Sequence, residues 1–162
     1  MPSREWFRID AQTRATIIEH QNETPVPLAR LARALGVSVK AATLGPGISG
    51  ELRPSAAGDF VIRVNRHDAP ARQRFTVAHE LAHFLLHRNM IGRGIEDDVL
   101  YRSELSDHIE AEANRLAADI LMPQDQVQQA YRAACGSHPD VVGMLSEKFG
   151  VSESAMKIRL GL

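Results

Sequence analysis

His79-Glu80-Leu81-Ala82-His83 limits what this chain can fold into more than any other feature. It falls within residues 71–87, which follow Pro70 and repeat apolar side chains at helical spacing. Phe75, Ala78, Ala82 and Leu85 form one side, and Leu81 and Phe84 broaden the flank. Residues four apart share a helix face, so a helix here brings both imidazoles to one point. Glu80 is rotated by about 100° from His79, near enough to touch a water at that point without binding the same ion. Two neutral imidazoles suit zinc, which takes four nitrogen, oxygen or sulfur donors.

The rest of the chain reads as one α+β domain, helix-rich, over residues 1–162. The periodicity predicts helices over 4–21, with Trp6, Ile9, Thr13, Ile17 and Ile18 inward, and over 27–35, stopped by Gly36. Residues 38–44 extend as one or two further helical turns before Gly45-Pro46-Gly47. Ile48–Leu52 and Asp59–Asn65 read as strands, the second on its β-branched alternation. A long loop or partly helical excursion is expected over 88–107. Helices follow at 107–121, 124–134, 140–148 and 152–160.

Composition narrows the classes. A net charge of -1 argues against a general nucleic-acid binder. No stretch has the roughly 18–20 apolar residues of a membrane span, and Met1 to Trp6 has no apolar core of a secretory signal. Cys135 is the only cysteine, as expected of a reducing cytoplasm. Sixteen Arg against three Lys, with abundant Ala, hints at a GC-rich bacterial genome.

A catalytic zinc needs a third protein ligand and an open position. A three-histidine site of the metzincin type would require glycine at 86 and histidine at 89, where the chain has Leu86 and Asn89. His87, one turn beyond His83, reads as polarity at a helix C-terminus. The next helix offers Glu110 and Asn114, four apart on one face, so that one ligates and the other orients a ligand histidine. Glu112 points about 200° away from Glu110, and spacing alone does not choose between the two carboxylates.

Two long ungapped segments carry a resemblance that spans most of residues 25–160. Phe75-Thr76-Val77-Ala78-His79-Glu80-Leu81-Ala82-His83-Phe84-Leu85-Leu86-His87, followed by Glu110 through Pro123, resembles the ImmA/IrrE family of zinc metallopeptidases. Gly47-Ile48-Ser49-Gly50, Val61 to Asn65 and Phe149-Gly150-Val151-Ser152 fit as well. The resemblance implies zinc on His79, His83 and Glu110, Asn114 behind a ligand, and Glu80 as general base for water attack on a peptide carbonyl. It also implies a zincin-like active-site helix beside a glutamate helix, and a small antiparallel sheet whose edge pairs with an extended substrate. The substrate it implies is a protein partner, a helix-turn-helix repressor cut at one site to relieve repression. Leu116 departs from the family, which usually carries an aromatic there. Tyr101, in the loop between the two helices, is a candidate to stabilise the oxyanion.

Two competing readings stand beside this one. Leu145 to Met156, within the segment 141–160, resembles a helix-turn-helix with Gly150 at the turn, and Leu28 to Thr43 echoes it faintly. Only Lys157 and Arg159 support the last helix, which argues against DNA binding. A zinc protein that binds a partner without catalysis, as in a toxin–antitoxin pair, would look similar but would not require Glu80.

Overall fold

The computed structural model describes residues 1–91, 95–98 and 107–162. Seven α-helices and four strands follow one another among these residues: α1 (Ala11–His20), α2 (Leu28–Ala34), β1 (Val37–Ala42), β2 (Ile48–Pro54), β3 (Phe60–Asn65), α3 (Pro70–Leu86), β4 (Ile95–Asp98), α4 (Asp107–Leu121), α5 (Gln124–Ala134), α6 (Val141–Phe149) and α7 (Glu153–Leu160). The expected α+β, helix-rich class holds.

Three expectations need correction. Residues 4–21 are not one helix: Arg4–Phe7 form a short 3-10 turn, and α1 starts at Ala11. Asp10 causes the break, since its carboxylate accepts from Thr13 N at 2.7 Å and caps a new helix. Residues 38–44 are not helical, and β1 occupies Val37–Ala42. Gly36, at φ 90°, ends α2 in a left-handed conformation that glycine tolerates best, and the chain emerges extended. The faint helix-turn-helix over Leu28 to Thr43 therefore has no second helix. The sheet is mixed rather than antiparallel. Its order is β1-β3-β2-β4, with β1 parallel to β3 while β2 runs antiparallel to both β3 and β4.

The sheet lies across α3, and Leu52, Ile62 and Val64 join Val77, Leu81 and Phe84 in the core. Pro70 takes the first position of α3, where its missing N–H costs nothing. From Thr76 to Phe84 every α3 side chain is buried. This helix is covered on all sides: by β2 and β3 on one flank, by α4 on another. Gly50 sets the close approach on the sheet side. A Cβ there would overlap Thr76 Cγ2 and lie 3.2 Å from the Arg63 carbonyl and 3.7 Å from Glu80 Cγ.

The N-terminal segment runs along α4. Ser3 donates its backbone N–H and its hydroxyl to Asp119 Oδ2, at 2.9 and 2.5 Å. Arg115 forks onto Glu5 at 3.0 and 2.7 Å, and Arg8 pairs with Glu112. These contacts land on Glu112, Arg115 and Asp119, three and four residues apart and so along one ridge. Asp119 also takes Arg159 of α7 at 2.9 Å, which ties both chain termini to one helix.

Candidate metal centre

His79 and His83 occupy successive turns of the buried face of α3 that meets α4, and they are 1% and 0% exposed. Their Nε2 atoms are 3.1 Å apart. Glu110, in the first turn of α4, reaches both: Oε2 lies 3.1 Å from His79 Nε2 and Oε1 3.1 Å from His83 Nε2. One ligand atom from each of the three residues fits within a 4.8 Å span. Glu112 points elsewhere, to Arg8 and His108, so the geometry brings Glu110 and not Glu112 to the histidines.

The chemistry of this donor set fits a cation. Two imidazole nitrogens and a carboxylate face one another at hydrogen-bond distance, and among the described residues no Arg or Lys approaches Glu110. Burial alone would raise the Glu110 carboxyl, but hydrogen bonds from the two imidazoles outweigh it and hold the group well below the usual carboxylate range.

The outer nitrogens of both histidines are also provided for. An imidazole that gives Nε2 to a metal keeps its proton on Nδ1 and needs an acceptor there. His79 Nδ1 lies 2.8 Å from Asn114 Oδ1, on the helix face that Asn114 shares with Glu110. His83 Nδ1 lies 2.9 Å from His87 Nδ1. His87 is thus not a solvated charge at the helix C-terminus. It is 4% exposed, and burial, with the positive charge of His83 and Arg8 nearby, pushes it down to about 4. As a neutral ring it can accept the His83 proton and turn its own Nε2–H toward Glu112 Oε2, 3.7 Å away. Sequence reasoning missed this role, although the i,i+4 step from His83 to His87 was the available signal.

Glu80 is completely buried, four residues after Thr76 and against the Gly50 region of β2. It follows His79 by about 100° around α3, so its Cγ lies between the face that meets α4 and the face that meets the sheet. Phe75 stacks beside His79 with ring centroids 6.0 Å apart. Tyr101 lies outside the described residues.

The helix-turn-helix resemblance near the C-terminus has the right local shape. Asp140 caps α6, Gly150 turns the chain at φ 67°, and Ser152 caps α7. Its would-be recognition helix offers little to a phosphate backbone: Arg159 is spent on Asp119 and on the Met122 carbonyl at 2.8 Å. Leu145, Phe149 and Met156 are instead part of the core. No helix among the described residues is long and apolar enough to cross a membrane.

Comparisons with known proteins agree with this architecture. No curated protein sequence matches the chain. Among solved structures, a Mycobacterium tuberculosis transcriptional regulator superposes with a TM-score of 0.64 at 20% identity, over 99% of this chain and 47% of the regulator. The fold is shared, and the chain spans about half that protein's length. The sequence model of the IrrE N-terminal-like domain, Peptidase M78, matches residues 49–161, from β2 through α3 and α4 to the end of α7. On that match, the chain belongs to the IrrE N-terminal-like family of metallopeptidase-type domains.

Proposed function

We propose that this protein is a zinc-dependent endopeptidase of the cytoplasm that cuts a helix-turn-helix repressor at one site and so relieves repression. The observation that carries the reading is the meeting of His79 Nε2, His83 Nε2 and Glu110 between α3 and α4. Zinc is the ion this nitrogen-rich, oxygen-completed set favours. When bound, it supplies Lewis acidity, which makes a water nucleophilic near neutral pH and draws charge from a carbonyl oxygen.

The chain's own residues do the remaining work. Asn114 and His87 fix the two imidazoles with Nε2 turned inward. Glu80 takes a proton from the water as its oxygen attacks the peptide carbon. It then hands that proton to the departing amine nitrogen, so acid and base duties fall to one carboxylate. Burial of all three α3 groups keeps competing water out. Tyr101 completes the proposal as a donor to the oxyanion. Glu80 itself favours this reading over a zinc protein that only binds, since a purely structural site has no use for a general base.

The test has two stages. Elemental analysis of purified protein is expected to give about one zinc per chain, lost in His83→Ala and in Glu110→Ala. Mass spectrometry of new protein N-termini is then compared between cells making the wild type and cells making Glu80→Gln. A cleavage inside a helix-turn-helix protein, seen only with the wild type, supports the assignment. Zinc binding without any Glu80-dependent cleavage leaves the non-catalytic reading in its place.

A further inference from the structure

A cleft of about 440 Å³ lies near the start of α3, walled by Pro27 and Leu28 at the head of α2, Val39 of β1, Val64 of β3 and Val77 of α3. Arg74 lines it too. Arg74 and Val77 are about 140° and 160° around α3 from His79, so the cleft and the metal centre face opposite ways. A space of this size holds a small organic molecule.

The guanidinium of Arg74 is short of partners. Nη2 donates to the Val26 carbonyl at 2.8 Å. Nε is sealed from solvent without a hydrogen bond, Nη1 makes none, and among the described residues no carboxylate pairs with the group. It is held close to the backbone of Gly150, where a Cβ would lie 2.5 Å from Nε and 3.3 Å from Cζ. Arg63, Arg115 and Arg159 are also partly withdrawn from water, and each meets a carboxylate. Burial lowers the proton affinity of Arg74, as expected of a cation removed from water without a counter-charge.

The other polar groups of the cleft are already engaged. Arg30 is paired with Glu23, and the Gln73 amide donates to the carbonyls of Arg66 and Asp68. One cation therefore stands over a wall of aliphatic side chains. We propose that the cleft binds an organic monocarboxylate, its charge on Arg74 and its aliphatic body against Leu28, Val39, Val64 and Val77. Nη1 and the second proton of Nη2 remain to hold a carboxylate end-on, the geometry that a guanidinium fork fits. A single cation balances one negative charge rather than the two of a phosphate monoester. The carboxylate can belong to a free acid or to the C-terminus of a polypeptide that ends in an aliphatic residue.

The test titrates the full chain with isocaproate, its uncharged amide and acetate, and follows the methyl groups by NMR. Isocaproate is expected to shift the methyls of Leu28, Val39, Val64 and Val77 saturably, with a dissociation constant on the order of 1 mM. The amide should bind at least about 10-fold more weakly because it forgoes the charge-assisted pair, and acetate likewise because it buries no body. Arg74→Met should abolish the shifts. So should Val39→Phe, which fills the cleft from the edge strand β1 and leaves the Arg74 contact with Val26 intact. N-acetyl-leucine carries the same isobutyl group and charge on a peptide bond, and separates the two sources. Tighter binding than isocaproate assigns a polypeptide C-terminus, weaker binding a free acid. Equal affinity for isocaproate and its amide, or shifts that persist in either variant, overturns the site. So does the absence of saturable shifts at these methyls in the wild type, which would leave Arg74 as a clamp on the Val26 carbonyl alone.

Discussion

Along the ridge of α4 that faces the N-terminus, each charged group has a full counter-charge from the chain. Glu112 meets Arg8, Arg115 forks onto Glu5, and Asp119 takes Arg159. Along the ridge that faces α3, Glu110 meets two imidazoles and, among the described residues, no Arg or Lys. Both ridges carry carboxylates removed from water, which is costly unless a cation accompanies them. On the first ridge the cation is built into the sequence. On the second the partners of the carboxylate are two imidazole nitrogens, a donor set that suits a metal ion. Position on the helix, rather than residue type, separates a glutamate paired with arginine from one that faces imidazoles.

Breaking the α3-facing ridge should have the largest effect. His83→Ala and Glu110→Ala are expected to abolish zinc binding and all peptidase activity, checked by elemental analysis and by cleavage of the identified partner. The zinc-dependent rise in melting temperature should vanish with them, because an ion that binds only the folded state stabilises it by mass action. Retained equimolar zinc in Glu110→Ala would mean another residue completes the set.

Glu80→Gln should separate catalysis from metal binding. Zinc content is expected to stay at one per chain while the cleavage rate falls by about 100-fold or more, the usual worth of a general base. An undiminished rate would remove Glu80 from the mechanism.

A smaller effect is expected at His87. His87→Leu strips the acceptor from His83 Nδ1 and should weaken zinc affinity by about 10-fold or somewhat more, as losses behind a ligand usually do. Chelator competition measures this, and His87→Gln, whose carbonyl can still accept, should recover part of it. Equal affinity in wild type and His87→Leu would show that the 2.9 Å contact does not orient the ligand.

The least effect on the centre should come from the other ridge. Glu5 is held down at about 2 by its hydrogen bonds with Arg115, against burial that would raise it, with Arg4 adding to the first effect. Its folded pKa is below the unfolded value, so its contribution is complete above pH 4.5 and is lost as pH falls toward 2. Glu5→Gln is expected to cost about 1–2 kcal/mol in urea unfolding near pH 7, since the Arg115 side chain remains partly solvated. Zinc content should not change. A loss of zinc in that variant would show that the two ridges are coupled through α4.

The sequence made the centre more legible than the fold around it. His79, His83 and Glu110 sit on long helices whose 3.6-residue period is strong, and helical spacing converts directly into proximity. The same arithmetic puts Asn114 on the face of Glu110 but does not say which of the two meets the metal position. Nor does it choose Glu110 over Glu112, because that depends on how α4 is rotated against α3. β1 was hidden for a different reason: Val37 to Ala42 has six residues, two of them Ala, and acquires its strand geometry by pairing parallel to β3 across a sequence gap. Asp10 carried a cap signal that the apolar spacing of 4–21 overrode. His87 was misread because its setting, between His83 and Glu112, combines contacts from two helices.

Gly50 has a consequence for how such chains diverge. A side chain at this position must push β2 away from Thr76 or turn Thr76 aside, and the displacement falls on the flank of α3 that seats Glu80. The contacts of His79 and His83 with Glu110 lie on the neighbouring face and include none of the atoms that a Cβ at Gly50 would meet. Gly50→Ala is therefore expected to disturb Glu80 more than the His79–His83–Glu110 set. Lineages that keep the full ligand set but carry a bulkier residue at this point of β2 should be sought among zinc-binding proteins that have lost their activity and kept their partners.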